Sequence, residues 1–492
     1  MTRRRASGPG RTAWLYGLIL VLQAAACPAM AGTIRTDVEI LSSPDYGGRG
    51  IGTHGAAKSA DYLAGRLQDL GLVPLTGLTF RQPVGITGVT LAGPAGDLSL
   101  DGKVLAQIGT TLVLSQGVTG PRTIDAPVVL VRYSAASVAL PDVFLSSSLD
   151  GAILILERVD APGTPMPEAA SGVLAALSAM RPAVVLNVMP DLIKMPDGSS
   201  EAPIVRYALD SPGDAMLNGL VDAQAVYDVF NPPGGPDDYQ TVSIDRPTAP
   251  GRLELSFATS ERRTLDEANI AATLTGHADA APILLAAHYD HLGVIEGQIF
   301  PGADDNASGV AVVLKVLQGL ASDPPGAPVD VVFFTGEEHG LLGSRAFVAN
   351  APRPLAQYSA VLNLDSVGRA MGDRPDLKRT VFSSGLDCFP EIRAALQDGA
   401  AASGMTVAGF DENPVLAPLY GSCKAQRAGT GGAPSDHLPF VMAGSDAVIL
   451  TGGLHKDYHQ PGDTAAKLDY DRLNALATLV EVAVRHLARG HQ

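Results

Sequence analysis

Five short stretches of the chain carry side chains that could do chemistry. They are His288-Tyr289-Asp290-His291, Gly302-Ala303-Asp304-Asp305-Asn306-Ala307-Ser308-Gly309, Thr335-Gly336-Glu337-Glu338-His339-Gly340, Asn363-Leu364-Asp365 and Tyr458-His459-Gln460-Pro461-Gly462-Asp463-Thr464. None is diagnostic alone. A His two residues from an Asp recurs by chance, adjacent glutamates are common in exposed loops, and an Asp or Asn ahead of a helix is an ordinary cap. The second stretch begins like a calcium loop, with oxygen donors at alternate positions and then a glycine. Its twelfth position, where a bidentate Glu belongs, is Lys315. Taken together the stretches are more telling. Imidazole combined with carboxylate suits zinc, whereas oxygen-only sets suit calcium or magnesium. One His, one Asp, one Glu, a second Asp and a second His exceed what a single catalytic zinc with an open position requires. They suit two ions that share one carboxylate and lie about 3.5–4 Å apart.

Four of the five stretches sit close to apolar runs that predict the elements needed to position them. Residues 283–287, 329–334, 359–364 and 447–450 are aliphatic or β-branched without polar alternation, the pattern of strands buried on both faces of a parallel sheet. Residues 309–320, 341–350 and 471–487 read as helices between and after them. The fold class expected is therefore α/β, a mostly parallel central sheet with helices on both faces. In such sheets a ligand site lies beyond the carboxyl ends of the strands, where these polar stretches fall. Residues 55–70 also predict a helix, with Leu63, Leu67 and Leu70 on one face and Gly71 ending it. From about 80 to 262 the texture changes to short apolar runs such as 128–133 and 152–156, broken by Gly and Pro, which predicts a strand-rich region with a helix at 169–180. Serine-hydrolase chemistry and zinc chemistry of the single-helix type lack support, because the sequence holds neither a Gly-x-Ser-x-Gly elbow nor His-Glu-x-x-His.

The five stretches, with Ser435-Asp436-His437-Leu438-Pro439-Phe440 between the last two, resemble in order the di-zinc exopeptidases of the bacterial leucyl aminopeptidase type, a family that includes glutaminyl cyclases. The resemblance covers about 263–492. It implies that His288 binds one zinc, Asp305 bridges both, Glu338 and Asp365 bind one ion each, and His459 completes the second site. It places the general base at Glu337 and gives Asp290 the task of orienting His288. Asp305, and not Asp304, is taken as the bridge from its distance to Ser308-Gly309. Asp436 and His437 are expected to support the site or touch substrate. Members of the family carry a Tyr just before that motif as an oxyanion donor; here the local residues are Gly431-Gly432-Ala433-Pro434, leaving Tyr420 or another donor to serve. By the same resemblance, 32–79 is a segment packing on the catalytic domain, and 80–262 is similar to a protease-associated insert over the active-site mouth. The expected cofactors are two zinc ions, and the expected substrates are peptides with a free N-terminus. Two other functions stay open: a single-zinc glutaminyl cyclase, which the five-ligand set disfavours, and a binding ectodomain whose site has decayed, which retention of Glu337 disfavours.

Composition bounds the remainder. A chain of 492 residues, 46% apolar and 17% charged, has material for about three domains and is unlike a disordered polymer. Its net charge of −16 argues against nucleic acid as a partner. Arg3, Arg4, Arg5 and Arg11, an apolar run over 14–22 and Ala29-Met30-Ala31 together predict a cleaved leader over 1–31 and export to the periplasm or beyond. The run is about half the length a membrane span needs. Cys27 offers the alternative of lipid attachment. Export would leave Cys388 and Cys423 as the only thiols, expected to be paired, and two thiols exclude a zinc site built on cysteine.

Overall fold

Two long strands run side by side through the molecule and join its two sheets. In the computed structural model, residues 32–108, 111–116, 121–133, 151–158, 182–189, 204–209, 217–230, 244–245, 250–277, 280–410, 423–427 and 435–489 are described. The long strands are β1 (Arg81–Ala95) and β2 (Pro250–Leu274), antiparallel from Arg81 opposite Ile270 to Ala95 opposite Ser256. β2 continues into the central sheet with β3 (Ile283–His288), β4 (Val329–Phe334), β5 (Ala360–Leu364), β6 (Thr380–Ser383), β7 (Thr406–Gly409) and β8 (Ala447–Thr451). The order across the sheet is β1–β2–β4–β3–β5–β8–β6–β7. β4, β3, β5 and β8 are mutually parallel, and every residue in them is buried.

Their burial on both faces is visible in how alternate residues divide. Leu285 and Ala287 of β3, with Val331 and Phe333 of β4, join the larger core. That core is closed by α1 (Ile34–Leu41), α2 (His54–Asp69), α3 (Gly309–Ser322), α5 (Pro390–Ser403) and α6 (Tyr470–Leu487). Leu284, Ala286, Val332 and Phe334 face the other way, against Phe347 of α4 (Leu342–Ala349) and Phe440 of the short helix Leu438–Met442. The α/β layering expected from the apolar runs is thus present, and helix ends follow local chemistry. Thr53 caps α2, Asp469 caps α6, and Gly71 takes a positive φ of 78° just beyond α2.

The strand-rich region forms a second sheet. Arg122–Tyr133, Ile153–Arg158, Val184–Met189 and Leu217–Asp222 pair in parallel, and Leu112–Gln116 closes one side antiparallel. It has its own core of Leu130, Ile155, Leu186 and Val226. The change of texture near residue 262 lies inside β2, which runs through it unbroken. Arg252 and Glu254 are exposed between buried neighbours, whereas from Glu267 to Ala272 every residue of β2 is buried. Cys388 and Cys423 form a disulfide, the pairing expected of them. Among the described residues no helix is long and apolar enough to cross a membrane. The leader over 1–31, the helix at 169–180 and Tyr420 lie outside the described residues.

Candidate metal centre

All four parallel strands end on one edge, and each end delivers a side chain. β3 ends on His288 and runs on into Asp290 and His291. Glu337 and Glu338 follow β4, Asp365 follows β5, and the loop after β8 carries His455, His459 and Asp463. Asp305 arrives from the turn Ala303–Ser308 that opens α3. His288 Nε2 lies 3.3 Å from Asp305 Oδ1 and 3.3 Å from Asp365 Oδ1. His459 Nε2 lies 3.1 Å from Asp305 Oδ2 and 3.0 Å from Glu338 Oε2. The two oxygens of Asp305 therefore face two different histidines. Glu337 joins His288 and Asp365 in a group whose ligand atoms lie within 4.8 Å of one another.

The spacing decides what these donors can hold. Two donors on one tetrahedral zinc, each about 2.0–2.1 Å away, stand about 3.3 Å apart. The four separations above fall at or just under that value. Of the four, His288 Nε2 to Asp365 Oδ1 also has the geometry of a hydrogen bond. His288 Nδ1 lies 3.2 Å from the carbonyl oxygen of Asp290, so the tautomer that donates there turns the Nε2 lone pair toward two carboxylates. His459 Nε2 is buried without a hydrogen bond of good geometry. Lone pairs gathered in this way repel unless a cation lies among them. The donor set, nitrogen and carboxylate oxygen in two nests sharing Asp305, fits zinc.

Further contacts orient the ligands. Ser435 Oγ donates to Asp365 Oδ2 at 2.6 Å, leaving Oδ1 for the centre, and Asn363 Nδ2 donates to Ser435 at 2.9 Å. His291 Nδ1 lies 2.6 Å from Glu338 Oε1, leaving Oε2 toward His459. Asp290 touches His288 through its backbone carbonyl, and its carboxylate accepts the Glu337 amide at 3.1 Å. Asn306 Oδ1 accepts from the Gly309 amide at 3.0 Å, so the capping role open to the Asp304-Asp305-Asn306 triplet belongs to Asn306.

Charge in the centre is unbalanced. Burial, followed by the like charges of Asp365, Glu338 and Asp436, pushes the Glu337 carboxyl well above its ordinary value against the pull of His288. Burial raises Asp290 to about 8 and Asp436 to about 7. Burial works against charge on His459, yet Asp305 and Glu338 raise it to about 10. The same partnership, with His288, holds Asp305 well below the usual carboxylate range despite its burial. Asp436 flanks the cluster with neither oxygen hydrogen-bonded, whereas His437 turns away, its Nε2 3.2 Å from Ser384 Oγ.

Several residues here carried no signal that sequence reading used. His291 stands in the first stretch as a second His. Tyr458 stacks on the His459 ring at 3.9 Å between centroids, and after burial the carboxylates Asp305, Glu338, Asp365 and Glu337 are what raise its hydroxyl. Tyr207, on the strand Ile204–Leu209 that pairs with β1, lies 4.5 Å from the His339 ring beside the two glutamates.

Comparison with known proteins bears directly on this arrangement. Residues 269–484 match the model of peptidase family M28. The chain carries an M28 peptidase domain. The M28 domain spans β3 to β8 and every residue of the two nests. Aminopeptidase YwaD of Bacillus subtilis (strain 168) is 28% identical over 210 residues, 41% of this chain and 40% of that protein. A probable zinc metalloprotease of Pyrenophora tritici-repentis is 27% identical over 216 residues, 40% of this chain and 44% of that protein. The chain thus spans less than half the length of either relative. An aminopeptidase from Aneurinibacillus sp. strain AM-1 shares the fold at a TM-score of 0.53, with 18% identity and 92% of each chain covered.

Proposed function

We propose that this protein is an exported metallo-aminopeptidase that holds two zinc ions and removes residues from the free N-termini of peptides. The observation that carries the reading is the Asp305 carboxylate, whose two oxygens face His288 on one side and His459 on the other. His288, Asp305 and Asp365 would hold one ion, and His459, Asp305 and Glu338 the other. Zinc bound there supplies Lewis acidity toward a scissile carbonyl and toward water. Glu337 is the general base. Its backbone amide is held by the Asp290 carboxylate and its side chain lies beside His288 and Asp365, where it would take a proton from the attacking water and pass it to the departing amine. The surplus of carboxylate over imidazole offers a counter-charge to a substrate α-ammonium, which favours cleavage at the N-terminus over cleavage within a chain. Tyr458, stacked on the His459 ring, would be the donor to a developing oxyanion. Tyr207 against His339 supports a strand-rich region that limits what enters the mouth.

Purified protein is expected to carry close to two zinc equivalents. It should release chromophore from aminoacyl amides, spare N-blocked analogues, and lose activity on chelation. Saturation at one zinc with full activity, together with cyclisation of N-terminal glutamine, would replace this reading with a glutaminyl cyclase. Export is tested by the mature N-terminus: Gly32 is expected, and an intact Met1 or a lipid on Cys27 would count against cleavage after Ala31.

A further inference from the structure

The turn Pro44–Arg49 lies far in sequence from every residue of the centre, yet it reaches the centre with one side chain. Arg49 is fully buried, at 0% exposure, and makes no carboxylate contact. It spends its donors on backbone carbonyls. Nε donates to Tyr289 at 2.8 Å, Nη1 to Leu41 at 2.8 Å and Pro301 at 2.7 Å, and Nη2 to Gly302 at 2.7 Å and Asp305 at 3.3 Å. Four of these five acceptors lie in the two loops that carry His288 and Asp305. From the opposite side Asp463 accepts the amides of Asp304, at 2.9 and 3.0 Å, and of Asp305, at 3.1 Å. The peptide groups flanking the Asp305 side chain are therefore held at both ends, the N–H by an anion and the C=O by a cation.

The backbone around this grip is committed to it. Arg49 itself sits at φ 55°, a conformation in which a long side chain is strained and which persists only where its surroundings demand it. Gly48 precedes it at φ 68°, and a Cβ there would stand 2.4 Å from the Phe300 carbonyl oxygen, so the turn is pressed against the strand leading to the Asp305 loop. Gly302 at φ 57° would bring a Cβ within 2.1 Å of the Asp305 carbonyl oxygen. Asp463 lies four residues beyond His459, and by taking the Asp304 and Asp305 amides it also fixes the His459 loop to the Asp305 loop.

We propose that Arg49 and Asp463 are positioning residues that hold the Asp305 loop in its ligating form before zinc arrives, so that the N-terminal segment sets how tightly the ions are bound. Which ions are bound rests on the two-zinc reading; the grip on the loop does not. Amide hydrogen exchange is compared in zinc-loaded and chelator-stripped protein. The amides of 302–308 are expected to stay protected after stripping; free exchange there would overturn the proposal whatever the metal stoichiometry proves to be. In a second arm, zinc is titrated against a competing chelator. Asp463→Asn and Arg49→Met should weaken zinc by about 10–100-fold, the range for supporting contacts to a metal site. Arg49→Lys, which keeps the charge and some of the donors, should recover part of the loss. Retention of parental zinc affinity by folded Asp463→Asn would sink the idea. If Arg49→Met fails to fold, Asp463→Asn and the exchange experiment decide between the outcomes.

Discussion

Two of the places where the molecule buries charge are built on opposite terms. In the second sheet, Arg132 Nε donates to Glu157 Oε2 at 2.8 Å, the Tyr227 hydroxyl donates to Glu157 Oε1, and Arg132 Nη2 donates to that hydroxyl at 3.3 Å. One cation, one anion and one hydroxyl close on each other, and burial with the Glu157 contact raises the tyrosine to about 12. At the end of the central sheet, carboxylates outnumber imidazoles, and buried atoms of Asp290, His291, Asp436 and His459 are left without hydrogen bonds. Burial of charge is common to both. Of the two, only the second is incomplete, and it is incompleteness that points to cation binding and to function.

That contrast can be broken in three ways. The largest effect is expected from the neighbouring glutamates of the open site. Glu337→Gln should keep both zinc ions while kcat falls by about 10²–10⁴-fold, the share of a positioned acid–base group. Glu338→Gln should lose one zinc and regain part of its activity in excess metal. The reverse pattern in metal analysis and steady-state kinetics would exchange the two roles. The second effect falls on the closed network. Glu157→Gln leaves Arg132 buried without its anion and should cost about 3–5 kcal/mol in denaturant unfolding, with zinc content untouched. Replacing Arg132, Glu157 and Tyr227 together by Met, Leu and Phe should cost far less. Loss of zinc from Glu157→Gln would show that the two regions are not separate. At neutral pH the smallest effect, one that grows only in acid, concerns His437, whose burial lowers it to about 3. The folded protein keeps this ring neutral, so below about pH 6.5 the unfolded chain binds the extra proton. Stability should therefore fall as pH drops from about 6.5 toward 3, by up to about 1.4 kcal/mol per pH unit from this residue. His437→Gln should flatten that slope in acid-unfolding curves; an unchanged slope would show that the ring is not held neutral.

Three of the ligands readable from sequence share one property: each sits at or shortly after the end of an apolar run, so a local pattern announces both the strand and the residue that leaves it. His288, Glu338 and Asp365 are of this kind. Arg49 and Asp463 are not. Arg49 acts 240 residues from Tyr289 and 256 from Asp305, and its partners are backbone carbonyls, which leave no trace in residue type. The same limit applies to the sheet. The continuous apolar strands β3, β4, β5 and β8 declare themselves, whereas β6 and β7, four residues each at the sheet's edge, do not. β2 hides for a different reason, because it is covered on both faces for only part of its length and so carries two patterns in one strand.

The pairing of β1 with β2 also sets rules for how this chain can be edited. Side chains alternate along both strands, so a single-residue insertion in either would turn Ile86 or Leu265 out of the small core they share with Ile51 and Leu342. Changes of two residues, or equal trimming of both strands, would keep the faces in phase. The ladder therefore marks a place where the chain could be shortened: Ala95 stands opposite Ser256, and closing the strands below that pair with an Asn-Gly turn would remove the second sheet while keeping the register beneath it. In the language of protein engineering, the two strands are a graft junction, and parity, not length, decides what may be joined there.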